Sequence, residues 1–191
     1  MRIVGGRWRG RTITAPKGNA TRPTTDRVRE ALFSALVARL GSDLGGGRVL
    51  DAFAGSGALG LEALSRGAKH VTFVEHDRRA AAALTDNLNA LGGGKTSNVV
   101  TGDVFSQAGR GIGGPFTLIL LDPPYTLDGA RTAGLLDALA ASGSLAEGAF
   151  VTWEHGRGQD ISWPEGFVPV TRKRYGSTEI DFAVWERGEA E

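Results

Sequence analysis

The feature that most constrains this chain is a short apolar run that ends in an acid and opens at once onto a glycine-rich loop: Val49-Leu50-Asp51, then Phe53-Ala54-Gly55-Ser56-Gly57-Ala58-Leu59-Gly60. A strand that becomes a helix within so few residues needs glycine for the turn. Backbone bare of side chains can also lie against a nucleotide-like ligand at the C-terminal edge of a parallel sheet. The flanking pattern agrees. Strands are predicted at Arg48–Phe53, His70–Glu75, Asn98–Thr101 and Thr117–Leu121, with helices at Leu59–Ser65 and Arg78–Leu91. Alternation at this spacing specifies an α/β, doubly wound, mostly parallel sheet.

The two ends of the chain differ from this middle. Downstream, a helix at Gly129–Ala141 and a strand at Phe150–Glu154 precede two β-rich runs, Val168–Arg172 and Ile180–Trp185, with no helix between them, so an antiparallel hairpin is expected to close the sheet. Upstream, Val28, Ala31, Leu32, Ala35, Leu36 and Leu40 recur at helical spacing over Asp26–Leu40, with Thr24, Thr25 or Asp26 available as N-cap. Residues 1–24 mix arginine, glycine and β-formers and read as a basic β-hairpin or extended arm, set apart from a catalytic domain at 25–191. Such an arm is expected to be separable, so that removing residues 1–20 weakens polyanion binding and spares the cofactor.

Charge and composition narrow the function classes. The 191 residues carry a formal net charge of only +1, but the first thirty hold eight basic side chains against Asp26 and Glu30. Clustered cations of this kind suit a polyanion. With no cysteine in the chain, thiolate catalysis, disulfides and cysteine-ligated metals are excluded. No apolar run reaches the roughly 18–20 residues of a membrane span, and the start lacks a secretory apolar core, so a cytoplasmic location is expected. His70, His76 and His155 show no metal-ligand spacing, and no metal is expected.

Gly55, Gly57 and Gly60 spell G-x-G-x-x-G, and Glu75 ends the next strand 24 residues after Asp51. This pattern does not by itself separate a nicotinamide dinucleotide from S-adenosylmethionine. In either case Glu75 suits the ribose hydroxyls, with Phe53, Ala54 and His76 beside it. Asp51 tilts the choice, because an anion before the loop repels a pyrophosphate but suits the ammonium of S-adenosylmethionine. Asp103 stands where a carboxylate can accept from an adenine amino group, with Val104 donating from its backbone.

The fourth strand delivers Asp122-Pro123-Pro124-Tyr125 to the same edge. An exocyclic aromatic amine is a poor nucleophile because its lone pair is delocalised into the ring. The Asp122 carboxylate and the carbonyl of Pro123 or Pro124 can hold its two hydrogens so that the lone pair faces an electrophilic methyl. The prolines stiffen the turn and add no competing N–H. Tyr125 can stack on an extruded base, and Asp122 can take the proton as charge develops on nitrogen.

Asp122-Pro123-Pro124-Tyr125 resembles the D/N-P-P-Y motif of amino-group methyltransferases. With the start MRIVGG, the RGR that follows, the stretch Arg22-Pro23-Thr24-Thr25-Asp26-Arg27-Val28-Arg29-Glu30-Ala31-Leu32-Phe33, DAFAGSGALGLEALSRGA and Tyr175-Gly176-Ser177-Thr178, the chain resembles the RsmD family over nearly its whole length. The resemblance implies a class I, Rossmann-like methyltransferase fold and methylation of N2 of a guanine in small-subunit (16S) ribosomal RNA. It also implies a preference for a partly assembled subunit and an N-terminal β-arm that helps hold RNA. Ala52 stands where the family has a bulkier residue, a departure expected to affect packing.

Arg2, Arg7, Trp8, Arg9 and Arg11 of the arm, Arg22 at its end, and Arg172, Lys173, Arg174 and Tyr175 near the C-terminus are the expected RNA contacts. Trp153, Trp163 and Trp185 read as core. A monomer is expected, since no apolar helix face is spare. Competing readings are a DNA adenine-N6 methyltransferase, disfavoured by the lack of room for a sequence-reading domain, a nicotinamide-dependent oxidoreductase, and an RNA-binding assembly factor with an idle cofactor site.

Overall fold

The structure, a computed structural model, describes residues 1–15 and 25–188. Seven strands form one sheet in the order β3-β2-β1-β4-β5-β7-β6. In chain order the elements are α1 (Asp26–Leu40), β1 (Arg48–Asp51), α2 (Ala58–Ser65), β2 (His70–Glu75), α3 (Arg78–Leu91), β3 (Ser97–Thr101), α4 (Val104–Ala108), β4 (Phe116–Leu121), α5 (Gly129–Ala141), β5 (Leu145–Gly156), β6 (Phe167–Tyr175) and β7 (Thr178–Trp185). Strands β1 to β5 run parallel, while β7 pairs antiparallel with both β5 and β6. The doubly wound class and the closing hairpin are as the alternation predicts.

Alternate residues of each parallel strand enter opposite cores, as the twofold period of a strand requires. Val49, Leu118 and Leu120 meet Phe33 and Leu36 of α1, Leu61 and Leu64 of α2 and Leu84 and Leu88 of α3. Leu50, Ile119 and Leu121 meet Leu135, Leu136 and Leu139 of α5 on the other face. Trp153 and Trp185 are buried in this second layer, and Trp163 packs edge-on to Trp153 with ring centroids 5.5 Å apart. Among the described residues no helix is long and apolar enough to cross a membrane.

Strand boundaries differ from expectation at several ends, and β6 runs on to Tyr175 and β7 starts already at Thr178. β1 stops at Asp51 because the chain then leaves its pairing partners, although Ala52 N–H still donates to the Leu120 carbonyl and Ala54 N–H to that of Val74. β5 begins at Leu145, five residues early, through an irregular stretch whose register with β4 shifts between Phe116 and Leu118 and which therefore lacks a clean alternation.

The N-terminal segment is the larger departure. It forms a compact loop with a single antiparallel bridge, Arg2 to Thr12, around a one-turn 3₁₀ helix at Gly6–Trp8. Ile3, Trp8 and Ile13 are buried in the same core as α1, α2 and α3. Trp8 is 8% exposed and covered by the Arg7 guanidinium at 4.3 Å, so in this structure its indole packs into the core. Arg22, Thr24 and the junction around them lie outside the described residues.

Candidate active site

Because β1, β2, β3 and β4 are parallel, their C-terminal ends fall along one edge, and the acids that follow them fall together: Asp51, Glu75, Asp103 and Asp122. Gly57 sits at φ +90° as the N-cap of α2, and a Cβ there would meet Leu84 Cδ1 at 2.4 Å. Only glycine allows this turn.

Asp51 is buried beneath the loop. Its Oδ2 accepts the Gly60 N–H at 2.8 Å, while Oδ1 has no hydrogen-bond partner among the described residues. Burial pushes its pKa up from 3.8 to about 7; the Gly60 N–H opposes this and the Glu75 carboxylate adds to it. A buried carboxylate oxygen with no partner among the described residues calls for a group that the chain itself does not supply there. Glu75 accepts the Gly55 N–H through Oε2 and the Asp77 N–H through Oε1, each at 2.7 Å, with His76 Nδ1 at 3.2 Å. It thus ties the glycine loop to the end of β2. Asp103 caps α4, accepting from the Ser106 N–H at 3.3 Å and the Ser106 hydroxyl at 2.9 Å.

A cleft of about 310 Å³ opens over this edge, within the range of small-molecule sites. Phe53, Glu75, His76, Asp103 and Val104 line it, as does Pro124; Asp51, Ala54, Gly55, Gly57 and Asp122 do not. Sequence reasoning missed Phe105, Leu127 and Arg131 on its far wall. The Phe53 and Phe105 rings meet edge to face at 6.1 Å and the Arg131 guanidinium lies 4.3 Å over Phe105. An apolar slot with carboxylates at one end suits an adenosine, and the orphaned Asp51 oxygen suits an ammonium, so the residues present fit S-adenosylmethionine. No group of three histidines or carboxylates that could hold a metal occurs among the described residues.

The Asp122-Pro123-Pro124-Tyr125 turn leaves β4 beside this cleft. The Pro124 carbonyl accepts the Leu127 N–H at 2.8 Å. The Tyr125 hydroxyl lies 3.3 Å from Glu154 Oε1 and 3.0 Å from Thr178 Oγ1, and its ring lies against Gly156. With one proton it donates to the carboxylate and accepts from Thr178. Burial raises its pKa, and the Glu154 and Asp122 carboxylates raise it further, so the phenol stays neutral. At 40% exposure its ring still faces solvent. Glu154 and Thr178 were not singled out from sequence. The signal was Thr178 closing Tyr175-Gly176-Ser177-Thr178, which becomes meaningful only once β7 is known to start there.

Arg172, Lys173, Arg174 and Tyr175 lie on β6 and alternate in direction. Arg172 binds Asp181 with two nitrogens, at 2.7 and 2.8 Å, and Arg174 binds Glu179 at 2.8 Å. Asp181 also meets the buried His155 at 2.9 Å. Lys173 faces the α1 side, and Tyr175 packs partly buried against the core there. Arg2, Arg9 and Arg11 are exposed on the arm, Arg11 donating to the Ala90 carbonyl at 2.8 Å.

A family model described as conserved hypothetical protein 95 matches residues 1–184. The Ribosomal RNA small subunit methyltransferase D of Haemophilus influenzae is 34% identical over 178 residues, covering 92% of this chain and 89% of that one. The chain belongs to the RsmD family. The Escherichia coli (strain K12) Ribosomal RNA small subunit methyltransferase D is 43% identical over 125 residues, 65% of this chain and 60% of that one. The solved structure of the Escherichia coli protein yhhF superposes with a TM-score of 0.84 at 34% identity, covering 98% of both chains. As an RsmD family member with a class I methyltransferase fold, the chain is a methyltransferase, and the oxidoreductase reading of the glycine loop is set aside.

Proposed function

We propose that this protein transfers a methyl group from S-adenosylmethionine to the exocyclic N2 of a guanine in small-subunit (16S) ribosomal RNA, acting in the cytoplasm on an assembling small subunit. The observation that carries the reading is the Asp122-Pro123-Pro124-Tyr125 turn, whose Pro124 lines a cleft bordered by Glu75 and Asp103, with the orphaned Asp51 oxygen beneath the neighbouring loop. When bound, S-adenosylmethionine supplies a methyl group on a positively charged sulfur. Asp51 holds the ammonium end, Glu75 the ribose hydroxyls and Asp103 the adenine amino group, while Phe53, Val104 and Phe105 exclude water from the slot.

Asp122 and one proline carbonyl accept the two hydrogens of the guanine amine and aim its lone pair. Pro124 already accepts the Leu127 N–H with one of its two lone pairs, which favours the Pro123 carbonyl as the acceptor for substrate. As the amine took the methyl and became cationic, the S–CH3 bond breaking with its electron pair left on sulfur, Asp122 would take the proton that leaves. Tyr125, its hydroxyl pinned between Glu154 and Thr178, offers its ring to the extruded base. Arg2, Arg9 and Arg11 meet RNA phosphates. The protein works as a monomer.

The test is methyl transfer from labelled S-adenosylmethionine to unmodified small subunits, free 16S ribosomal RNA and DNA, followed by nucleoside analysis. N2-methylguanosine in the ribosomal samples, lost on Asp122→Ala, is the expected result. N6-methyladenine in DNA, or no label despite cofactor binding, would overturn it.

A further inference from the structure

The second cleft of the molecule, about 230 Å³, runs between α1 and the edge strand β6 on the face away from Arg172 and Arg174. One wall is Ala35, Ala38 and Arg39; the other is Thr171 and Lys173; buried Phe150 and Phe182 form the floor. The small alanines keep the helix low, so the groove stays open along its length. Its two cations are exposed, and neither is in an ion pair among the described residues, whereas both arginines of β6 are engaged by carboxylates. The Arg39 guanidinium is 5.9 Å from the Phe150 ring centroid, a partner that leaves its N–H groups available.

A bulge decides this arrangement. The register between β6 and β7 shifts between Pro169 and Thr171, which sets Thr171 opposite Phe182 and Lys173 opposite Ile180, while Arg172 and Arg174 fall opposite Asp181 and Glu179. The strand therefore sorts its charges: the paired ones to one face, the free lysine and a hydroxyl to the other. The Lys173 end of the groove lies toward the catalytic edge. Lys173 is two residues, about 7 Å along the strand, from Tyr175 and the turn that carries Thr178, the partner of Tyr125.

We propose that this groove binds the phosphodiester backbone of the substrate RNA next to the methylated nucleotide, with Arg39 and Lys173 each neutralising a phosphate and the Thr171 hydroxyl donating a hydrogen bond. This rests on the RNA reading of the active site. The ligand is an RNA strand because the base held at Asp122 is covalently continuous with phosphates, and the groove leads away from that base carrying only positive charge and a hydroxyl above an apolar floor.

The experiment is filter binding of a protein-free 16S ribosomal RNA transcript between 50 and 200 mM salt, with S-adenosylhomocysteine affinity measured alongside. Arg39→Ala/Lys173→Ala is expected to weaken RNA binding about tenfold at low salt and to lower the slope of log affinity against log salt by about 1.4–1.8, the release expected for two phosphates. Cofactor-product affinity stays unchanged, Lys173→Arg restores most of the slope, and Arg174→Ala changes it less than Lys173→Ala. A wild type that binds and methylates the transcript while the double variant keeps affinity and slope would overturn the groove alone. Loss confined to the ribonucleoprotein particle would assign the groove to a protein partner and also overturn it. A wild type that binds neither the transcript nor unmodified small subunits would overturn both this and the proposed function, whereas one that methylates subunits without binding the transcript would overturn the groove alone.

Discussion

Asp51 is held well away from its ordinary ionisation. Its pKa, pushed up from 3.8 to about 7, means the folded protein keeps a proton that the unfolded chain releases, so this site lowers stability as pH rises across that window. A cation at its free oxygen favours the ionised form. Cofactor-product affinity is therefore expected to rise by about fivefold between pH 6 and 7 and by about twofold more before it levels off near pH 8, and Asp51→Asn to bind weakly with no such slope. Calorimetric titrations of S-adenosylhomocysteine across pH check this, and a flat wild-type profile would remove Asp51 from the proposed site. At the turn, Asp122→Ala is expected to lower kcat by about 10²-fold or more while cofactor affinity holds. Tyr125→Phe, which loses the contacts to Glu154 and Thr178 but keeps the ring, should cost far less than Tyr125→Ala; single-turnover methyl transfer separates the two.

At the scale of elements, the N-terminal loop is docked by a small set of polar contacts. Glu62 of α2 accepts the Val4 N–H at 2.8 Å and pairs with Arg66 at 2.7 Å and with the buried Arg29 of α1 at 3.8 Å. Ser65 accepts the Trp8 N–H at 2.9 Å and donates to the Gly5 carbonyl. Gly6 lies at φ +74° with a would-be Cβ only 1.9 Å from the Ser65 carbonyl. Gly6→Ala is expected to cost about 2 kcal/mol and to lower Tm by roughly 4–8 °C; an unchanged melting curve would contradict the docking. Asn87 of α3 binds both backbone groups of Thr14 at 2.9 Å and the Ser56 carbonyl at 3.0 Å, so the end of the loop and the glycine turn share one anchor.

For the whole molecule, this docking revises what truncation does. Ile3, Trp8 and Ile13 together bury enough apolar surface to contribute about 5–9 kcal/mol, comparable with the total stability of a domain. Deleting residues 1–14 is expected to abolish cooperative unfolding and cofactor binding together with RNA binding; selective loss of RNA binding would mean the arm is separable after all. Arg2 and Arg9, exposed on the same loop, are the substitutions that probe RNA contact without this cost. The sequence by itself determined the order of elements, the parallel class and the positions of the acids after β1, β2 and β4, because strand period, helix period and glycine turns are local properties of consecutive residues. Tertiary structure decided what those residues meet. A bulge of one residue in β6 chose which of Arg172, Lys173 and Arg174 are paired, and the start of β7 set Thr178 against Tyr125. Packing from three helices turned a basic arm into part of the core. Each of these depends on register or burial between segments distant in sequence, and local periodicity carries no record of either.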